Sequence, residues 1–131
     1  MQAQNEKTGH ILLIDDEEMV RELGRHILES NNYTVLLARH GREGVKIYQE
    51  KQQSIDLVIL DMIMPVMGGK ETFHAIRELN SDAMVLLCSG YSQEETFAEL
   101  LQAGALGFIP KPFRYDELLG TVAELLPATE G

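Results

Sequence analysis

The sequence has one cysteine, no tryptophan and about half as many basic as acidic side chains, and these shortages exclude several functions. A single cysteine, Cys88, cannot form a disulfide within the chain, and it lies in an apolar stretch where a small buried thiol is common. With 11 Lys and Arg against 21 Asp and Glu, the formal net charge is −10. A surface of that charge repels phosphate backbones, so we expect no direct binding of nucleic acid.

Long apolar runs are also missing from the sequence. No run approaches the roughly 18 residues that cross a bilayer, and residues 1–9 lack the apolar segment of a secretory signal. We therefore expect no membrane insertion and a cytosolic location. The 131 residues, 44% of them hydrophobic, are enough for one domain with its own core. We place this domain at residues 10–126, with residues 1–9 and 127–131 as tails or linkers.

Short apolar runs alternate with segments of helical periodicity along the chain. Most of the runs are continuously apolar, which is typical of strands that are buried on both faces of a parallel sheet. Ser92 and Glu95 predict a capping box near the start of the fourth helix. Five strands and five helices in alternation predict right-handed crossovers and an open, doubly wound α/β sheet with helices on both faces. The predicted strands are residues 10–14, 33–38, 55–60, 83–88 and 107–109.

Polar side chains follow four of the five predicted strands. Asp15 and Asp16 follow the first strand, Asp61 the third and Ser89 the fourth, and Lys111 comes shortly after the fifth. Because ligands bind at the carboxyl ends of the strands in such sheets, we expect these side chains to meet at one edge.

The acidic residues at this edge predict a bound cation. Three carboxylates in a small space repel one another unless a cation lies between them. Mg²⁺ fits, because it takes one or two carboxylates and binds phosphate as well, whereas Lys111 suits an anionic phosphoryl group. The alternative is that the acidic residues 15–18 only complement the dipole of the first helix, which leaves Asp61 and Lys111 unexplained.

Four segments, ILLIDDEE, LVILDMIMPVMGG, LLCSGYS and GFIPKPF, occur in this order at the predicted strand ends. Together they resemble the receiver domain of bacterial two-component response regulators, and the resemblance covers nearly the whole chain. It implies a flavodoxin-like (βα)5 fold with strand order 2-1-3-4-5. It also implies a phosphoacceptor that takes a phosphoryl group from a phosphohistidine in a Mg²⁺-dependent reaction and then changes conformation. The SGYS segment is similar to receivers of hybrid sensor histidine kinases, and a free-standing regulator is the alternative.

The resemblance implies a role for each residue at the strand ends. Asp61 matches the phosphoacceptor, Asp16 the carboxylate that binds Mg²⁺ directly, and Asp15 the carboxylate that usually acts through a water. The backbone carbonyl of Ile63 would be a further ligand. Lys111 would neutralise the phosphoryl oxygens, so that the domain catalyses its own phosphorylation and dephosphorylation and is not otherwise an enzyme.

Further residues match the switch and the rim of the pocket. Ser89 matches the hydroxyl that moves to bond a phosphoryl oxygen, and Phe108 the aromatic side chain that follows it inward. Pro112 resembles a family proline that follows a cis peptide bond. At the rim, Ile63 and Tyr91 offer no carboxylate or amide to orient an attacking water, so we expect the phosphorylated form to hydrolyse slowly.

The resemblance also implies two kinds of partner. A histidine kinase or a phosphotransfer domain would supply the phosphoryl group. A downstream effector would bind the face formed by the fourth helix, the fifth strand and the fifth helix.

Three other functions are consistent with part of the pattern. An aspartate-dependent Mg²⁺ phosphatase needs a second acid two residues after its nucleophile, where this chain has Ile63. A flavin-binding module of similar topology needs a phosphate-binding loop after the first strand, where residues 15–18 are acidic. A receiver that serves only for docking would not need the acceptor residues, all of which are present.

Overall fold

The computed structural model describes residues 9–90 and 94–126 of the chain, and its elements alternate between strand and helix throughout. The predicted alternation is confirmed. Ser92, predicted to cap the fourth helix, and Tyr91, predicted at the pocket rim, lie outside the described residues. The elements are β1 (His10–Ile14), α1 (Glu18–Glu29), β2 (Thr34–Ala38), α2 (Gly41–Lys51), β3 (Leu57–Asp61), α3 (Gly69–Leu79), β4 (Val85–Ser89), α4 (Glu94–Gln102), β5 (Gly107–Pro110) and α5 (Tyr115–Leu125).

The five strands form one parallel sheet in the order β2-β1-β3-β4-β5, which confirms the predicted strand order. The three inner strands are buried almost throughout, as their continuous apolar sequences predicted. Successive residues of each inner strand point to opposite faces and join two separate core clusters. One cluster packs beneath α2, α3 and α4, and the other beneath α1 and α5, so that helices cover both faces.

Strands β2, β3 and β4 begin one or two residues later than predicted, for one shared reason. Tyr33, Ile55 and Ala83 are apolar and buried, but each lies in the connection that precedes its strand. The backbone N–H groups of these residues donate to carbonyls of the preceding helix or turn, those of Leu28, Lys51 and Asn80. Hydrophobicity therefore predicts that a residue is buried in the core. The strand begins only where the backbone N–H is available to hydrogen-bond a neighbouring strand.

No helix among the residues that the structure describes combines the length and the apolar character needed to cross a membrane.

The start of α3 lies unusually close to the end of β3, and Gly69 permits this approach. A Cβ atom at Gly69 would lie 2.5 Å from Cα of Met62 and 2.9 Å from the carbonyl oxygen of Asp61. Both neighbours are backbone atoms that cannot rotate away. The same glycine donates its N–H to the Met62 carbonyl at 3.1 Å, which closes the turn after Asp61.

We predict that Gly69→Ala lowers the free energy of unfolding by about 1 to 3 kcal/mol, because the methyl group pushes α3 away from the end of β3. Gly68→Ala is the matched control, since a Cβ at Gly68 would have no atom within 4 Å. That control should cost at most about 1 kcal/mol, from the change at the helix N-cap. Urea unfolding of the two variants measures the difference, and equal costs would contradict this account of the turn.

Candidate functional site

The carboxyl ends of four neighbouring strands bring the predicted polar residues to one edge of the sheet. Asp15 directly follows β1, Asp61 and Ser89 are the last residues of β3 and β4, and Lys111 directly follows β5. Register explains the convergence, because Asp61 pairs with Cys88 and Ser89 with Pro110 across adjacent strands. The Asp15, Asp61 and Ser89 residues are 0%, 1% and 1% exposed, so the site lies within the fold and not on its surface.

The Lys111 ammonium lies among three carboxylates. Its Nζ is 2.8 Å from Oε1 of Glu17, 3.0 Å from Oδ2 of Asp15 and 3.4 Å from Oδ2 of Asp61. The lysine side chain is only 10% exposed. Two buried carboxylates and one ammonium leave an excess of negative charge, which is expensive to hold away from water.

The loop between β1 and α1 is fixed by hydrogen bonds that Asp15 accepts. The Glu17 N–H donates to Oδ1 of Asp15 at 2.9 Å, and Nη1 of Arg21 donates to the Asp15 carbonyl at 2.8 Å. The Asp15 N–H in turn donates to the carbonyl of Ala38 at the end of β2. These bonds set the direction of the Asp15 carboxylate before any ligand binds.

One oxygen of Asp61 accepts no hydrogen bond from the residues that the structure describes. Oδ1 accepts the Ile63 N–H at 3.3 Å, but Oδ2 is buried and has no hydrogen-bond partner among the described residues. A buried carboxylate oxygen without a partner is uncommon in native structures and marks a position where an ion or ligand is expected.

The donor set at this oxygen fits a hard divalent cation. Ligand atoms of Asp15, Asp61 and Cys88 lie within 4.8 Å of one another. Among the residues that the structure describes, these three form the group that could hold a metal ion. Burial, and then the two carboxylates, raise the pKa of the Cys88 thiol well above its ordinary value, so the sulfur stays protonated. Carboxylate oxygens are the ligands that Mg²⁺ takes, and a neutral thiol is not, so Asp15 and Asp61 would hold the ion.

Burial also changes the acidity of the carboxylates. Burial, and next the charge of Asp15, raise the pKa of Asp61 to about 7, against the opposing effect of Lys111. Burial likewise raises the pKa of Asp15, although the Glu17 N–H and Lys111 oppose it. Burial acts to lower the pKa of Lys111, but its hydrogen bonds to Glu17 and Asp15 outweigh that effect and the pKa lies above its ordinary value. The lysine is therefore a permanent cation beside a carboxylate that is hard to ionise.

A cavity of about 500 Å³ opens from this cluster to solvent. Asp16, predicted as the direct Mg²⁺ ligand, is exposed and lines the cavity wall, outside the group formed by Asp15, Asp61 and Cys88. Ile63, whose carbonyl was predicted as a ligand, also lines the cavity with a side chain that is 41% exposed. The remaining lining residues are Glu17, Val20, Gly90, Lys111 and Pro112.

The predicted switch aromatic points outward in this structure. Phe108 is 41% exposed, and its ring centroid lies 4.3 Å from that of Phe97 on α4, with the planes tilted by 46°. The peptide bond between Lys111 and Pro112 is cis, which confirms that prediction.

Sequence reasoning missed two contacts of this site. The sequence pattern places Glu17 in the acidic run after the first strand and does not indicate its contact with Lys111, and it does not indicate the contact of Arg21 with Asp15. A cation one turn into the helix that follows an acidic loop is a weak signal for Arg21. The contact of Glu17 with Lys111 joins residues 94 positions apart, and no local pattern reports it.

Comparison with known proteins gives the site a family context. A model of the response regulator receiver domain matches residues 11–123. The chemotaxis protein CheY of Halobacterium salinarum is 36% identical over 118 residues, which cover 90% of this chain and 97% of that protein. The sensor kinase CckA of Brucella abortus is 39% identical over 117 residues, which cover 88% of this chain but 12% of the kinase. The same unit thus makes up nearly all of one relative and a small part of another.

Solved structures agree with these matches. The CheX–CheY–BeF3–Mg²⁺ complex from Borrelia burgdorferi superposes with a TM-score of 0.85 at 29% identity, covering 89% of this chain and 88% of that chain. The receiver domain of the hybrid histidine kinase CckA superposes with a TM-score of 0.77 at 32% identity, covering 90% and 99%.

The raised pKa of Asp61 predicts a pH-dependent loss of stability in metal-free protein. Between the ordinary value of 3.8 and about 7, the folded state keeps a proton that the unfolded chain has lost, so stability falls as the pH rises through this range. Asp61→Asn removes this effect. In EDTA at pH 8 the variant should be more stable than the wild type by on the order of 1 to 3 kcal/mol, and the difference should shrink toward pH 4.

Thermal unfolding across this pH range, with Asp82→Asn as an exposed control, measures the effect. Added Mg²⁺ should stabilise the wild type more than Asp61→Asn. An Asp61→Asn variant that melts at or below the wild-type temperature at pH 8 would show that the ionised Asp61 carboxylate does not destabilise the folded state.

Proposed function

The chain belongs to the response regulator receiver domain family, and from that premise we propose that Asp61 is its phosphoacceptor. Acceptance of phosphoryl groups in two-component signalling is the function of this family and hence of this chain. The observation that supports Asp61 is its buried Oδ2, which has no hydrogen-bond partner among the described residues and lies 3.4 Å from an ammonium.

In the proposed reaction, an oxygen of Asp61 attacks the phosphorus of a phosphohistidine. An O–P bond forms, the P–N bond breaks, and its electrons return to the imidazole nitrogen of the donor. The product is an acyl phosphate on Asp61. Positioning and charge neutralisation are the main contributions that a protein can make to such a transfer.

The residues present fit Mg²⁺, which would neutralise charge on the transferred group. Asp15 and Asp61 are the ligands that the geometry supports, and Asp16 and the Ile63 carbonyl remain predicted ligands from the cavity wall. Lys111 would bind a phosphoryl oxygen from the side of β5. Ser89, buried at the end of β4, would donate its hydroxyl to another phosphoryl oxygen.

The proposed switch connects this site to the surface formed by α4, β5 and α5. Movement of Ser89 toward a phosphoryl group would vacate space that the ring of Phe108 can enter. Phe108 would then leave Phe97, its present ring partner, and the face around exposed Leu101 and Leu106 would change shape. We propose this face for the effector, and a histidine kinase or phosphotransfer domain as the donor. The receiver unit in this proposal is residues 10–126.

We predict that acetyl phosphate with Mg²⁺ adds one phosphoryl group per chain to the wild type and to Asp82→Asn, and none to Asp61→Asn. Intact-mass measurement in time reads both the extent and the stoichiometry. Stoichiometric labelling that saturates is expected because the acceptor is consumed. If Asp61→Asn is labelled to the same extent as the wild type, Asp61 is not the phosphoacceptor. Steady release of phosphate from an aryl phosphate would favour the phosphatase alternative.

The rim residue Ile63 is expected to lengthen the life of the phosphorylated form. Its exposed side chain lines the cavity and cannot hydrogen-bond a water for in-line attack. We predict that Ile63→Asn shortens the half-life of phosphorylated Asp61 by roughly two- to tenfold, since an amide at the rim can orient that water. Decay of the labelled species after donor removal measures this. Val66→Asn, in the same loop but not lining the cavity, should leave the half-life unchanged.

A further inference from the structure

Glu17 is the carboxylate nearest to the Lys111 ammonium, yet it has no place in the proposed metal site. Its Oε1 lies 2.8 Å from Nζ, closer than Asp15 at 3.0 Å and Asp61 at 3.4 Å. The Glu17 side chain is 60% exposed, whereas that of Lys111 is 10% exposed. The ammonium thus lies closer to the exposed carboxylate of Glu17 than to the buried carboxylate of Asp61.

We propose that Glu17 is a positioning residue that holds Lys111 in the unphosphorylated arrangement and thereby opposes binding of a phosphoryl group at Asp61. This inference rests on the proposed function, because it takes Lys111 as the group that meets the phosphoryl oxygens.

Competition for the ammonium supports this role. A phosphoryl oxygen at Asp61 would draw the Lys111 ammonium toward it, and the charge-assisted hydrogen bond to Glu17, the shortest of its contacts among the described residues, would weaken or lengthen. A divalent cation between Asp15 and Asp61 would repel Lys111 from both of them, which leaves Glu17 as its remaining partner. Glu17 therefore competes with the incoming phosphoryl group most strongly when the site is ready to react.

The charge of Glu17 acts in the same direction. The site already holds Asp15, Asp16 and Asp61 for a cation, so a further carboxylate on the cavity wall adds repulsion toward an anion. The backbone contribution of Glu17 is separate, because its N–H and not its side chain bonds Asp15. Glu17→Gln therefore removes the charge while it keeps the bond that shapes the loop.

Binding of beryllofluoride with saturating Mg²⁺, followed by NMR titration, tests the proposal without turnover. Glu17→Gln should bind roughly two- to fivefold more tightly than the wild type, a modest gain because the pair is partly exposed. The gain should shrink as the ionic strength rises. Glu18→Gln is the matched control, since it removes the neighbouring exposed charge and Glu18 makes no ion pair with Lys111 among the described contacts. Its affinity should stay within the error of the wild type.

A double-mutant cycle separates the contact from a general field effect. In a Lys111→Met background most of the gain from Glu17→Gln should disappear, because no ammonium remains to be released and only the direct repulsion between Glu17 and the anion is left. Wild-type or weaker affinity in Glu17→Gln, or a gain that is as large without Lys111 as with it, would overturn the proposal. A wild type that neither binds beryllofluoride nor is labelled at Asp61 would instead refute the proposed function, and this inference with it.

Discussion

The excess of buried negative charge around one ammonium is the constraint on which the rest of this structure depends. Asp15 and Asp61 are almost completely buried, and Lys111 is the cation that reaches both of them in the part of the chain that the structure describes. One ammonium cannot fully compensate two carboxylates, so burial, and next the charge of Asp15, raise the pKa of Asp61, whose Oδ2 has no hydrogen-bond partner among the described residues. A site built in this way gains stability from any added positive charge, and it keeps a carboxyl oxygen free of competing hydrogen bonds.

The sheet makes this arrangement possible because it supplies rigidity that the site itself lacks. The strands that carry Asp15, Asp61 and Ser89 are the three inner ones, and the apolar residues of both core clusters hold them on both faces. Gly69 adds a close turn behind Asp61. The carboxylates can therefore repel one another at the edge of the sheet without separating the strands. Deforming the packed core would require more free energy than separation of the carboxylates would release.

The fold and the outline of the site follow from local sequence features, whereas the ionic contacts do not. Apolar runs and helical periodicity predict the five strands and helices, and polar residues at the ends of those runs predict which side chains meet. The start of a strand is less predictable, because Tyr33 and Ile55 are as apolar as ladder residues but use their N–H groups in turns. Contacts such as Glu17 with Lys111 or Phe97 with Phe108 depend on which rotamers the finished fold permits. Periodicity predicts which residues are buried, but it cannot predict which of several acidic side chains the Lys111 ammonium will approach most closely.

The placement of Lys111 and Phe108 supports the proposed link between this charge imbalance and a distant surface. Both belong to the short segment around β5, where Phe108 pairs with Leu87 and Pro110 with Ser89 of β4. A change in the position of Ser89 would therefore be transmitted to β5, the strand that carries the aromatic ring and ends next to the lysine. Since β5 is an edge strand of the sheet and Phe108 is partly exposed against Phe97, this strand can rearrange at a lower cost than any inner strand. The sheet thus confines the charge imbalance to the strands that resist movement, and the proposed response falls on β5, the one strand of this group that has a free edge.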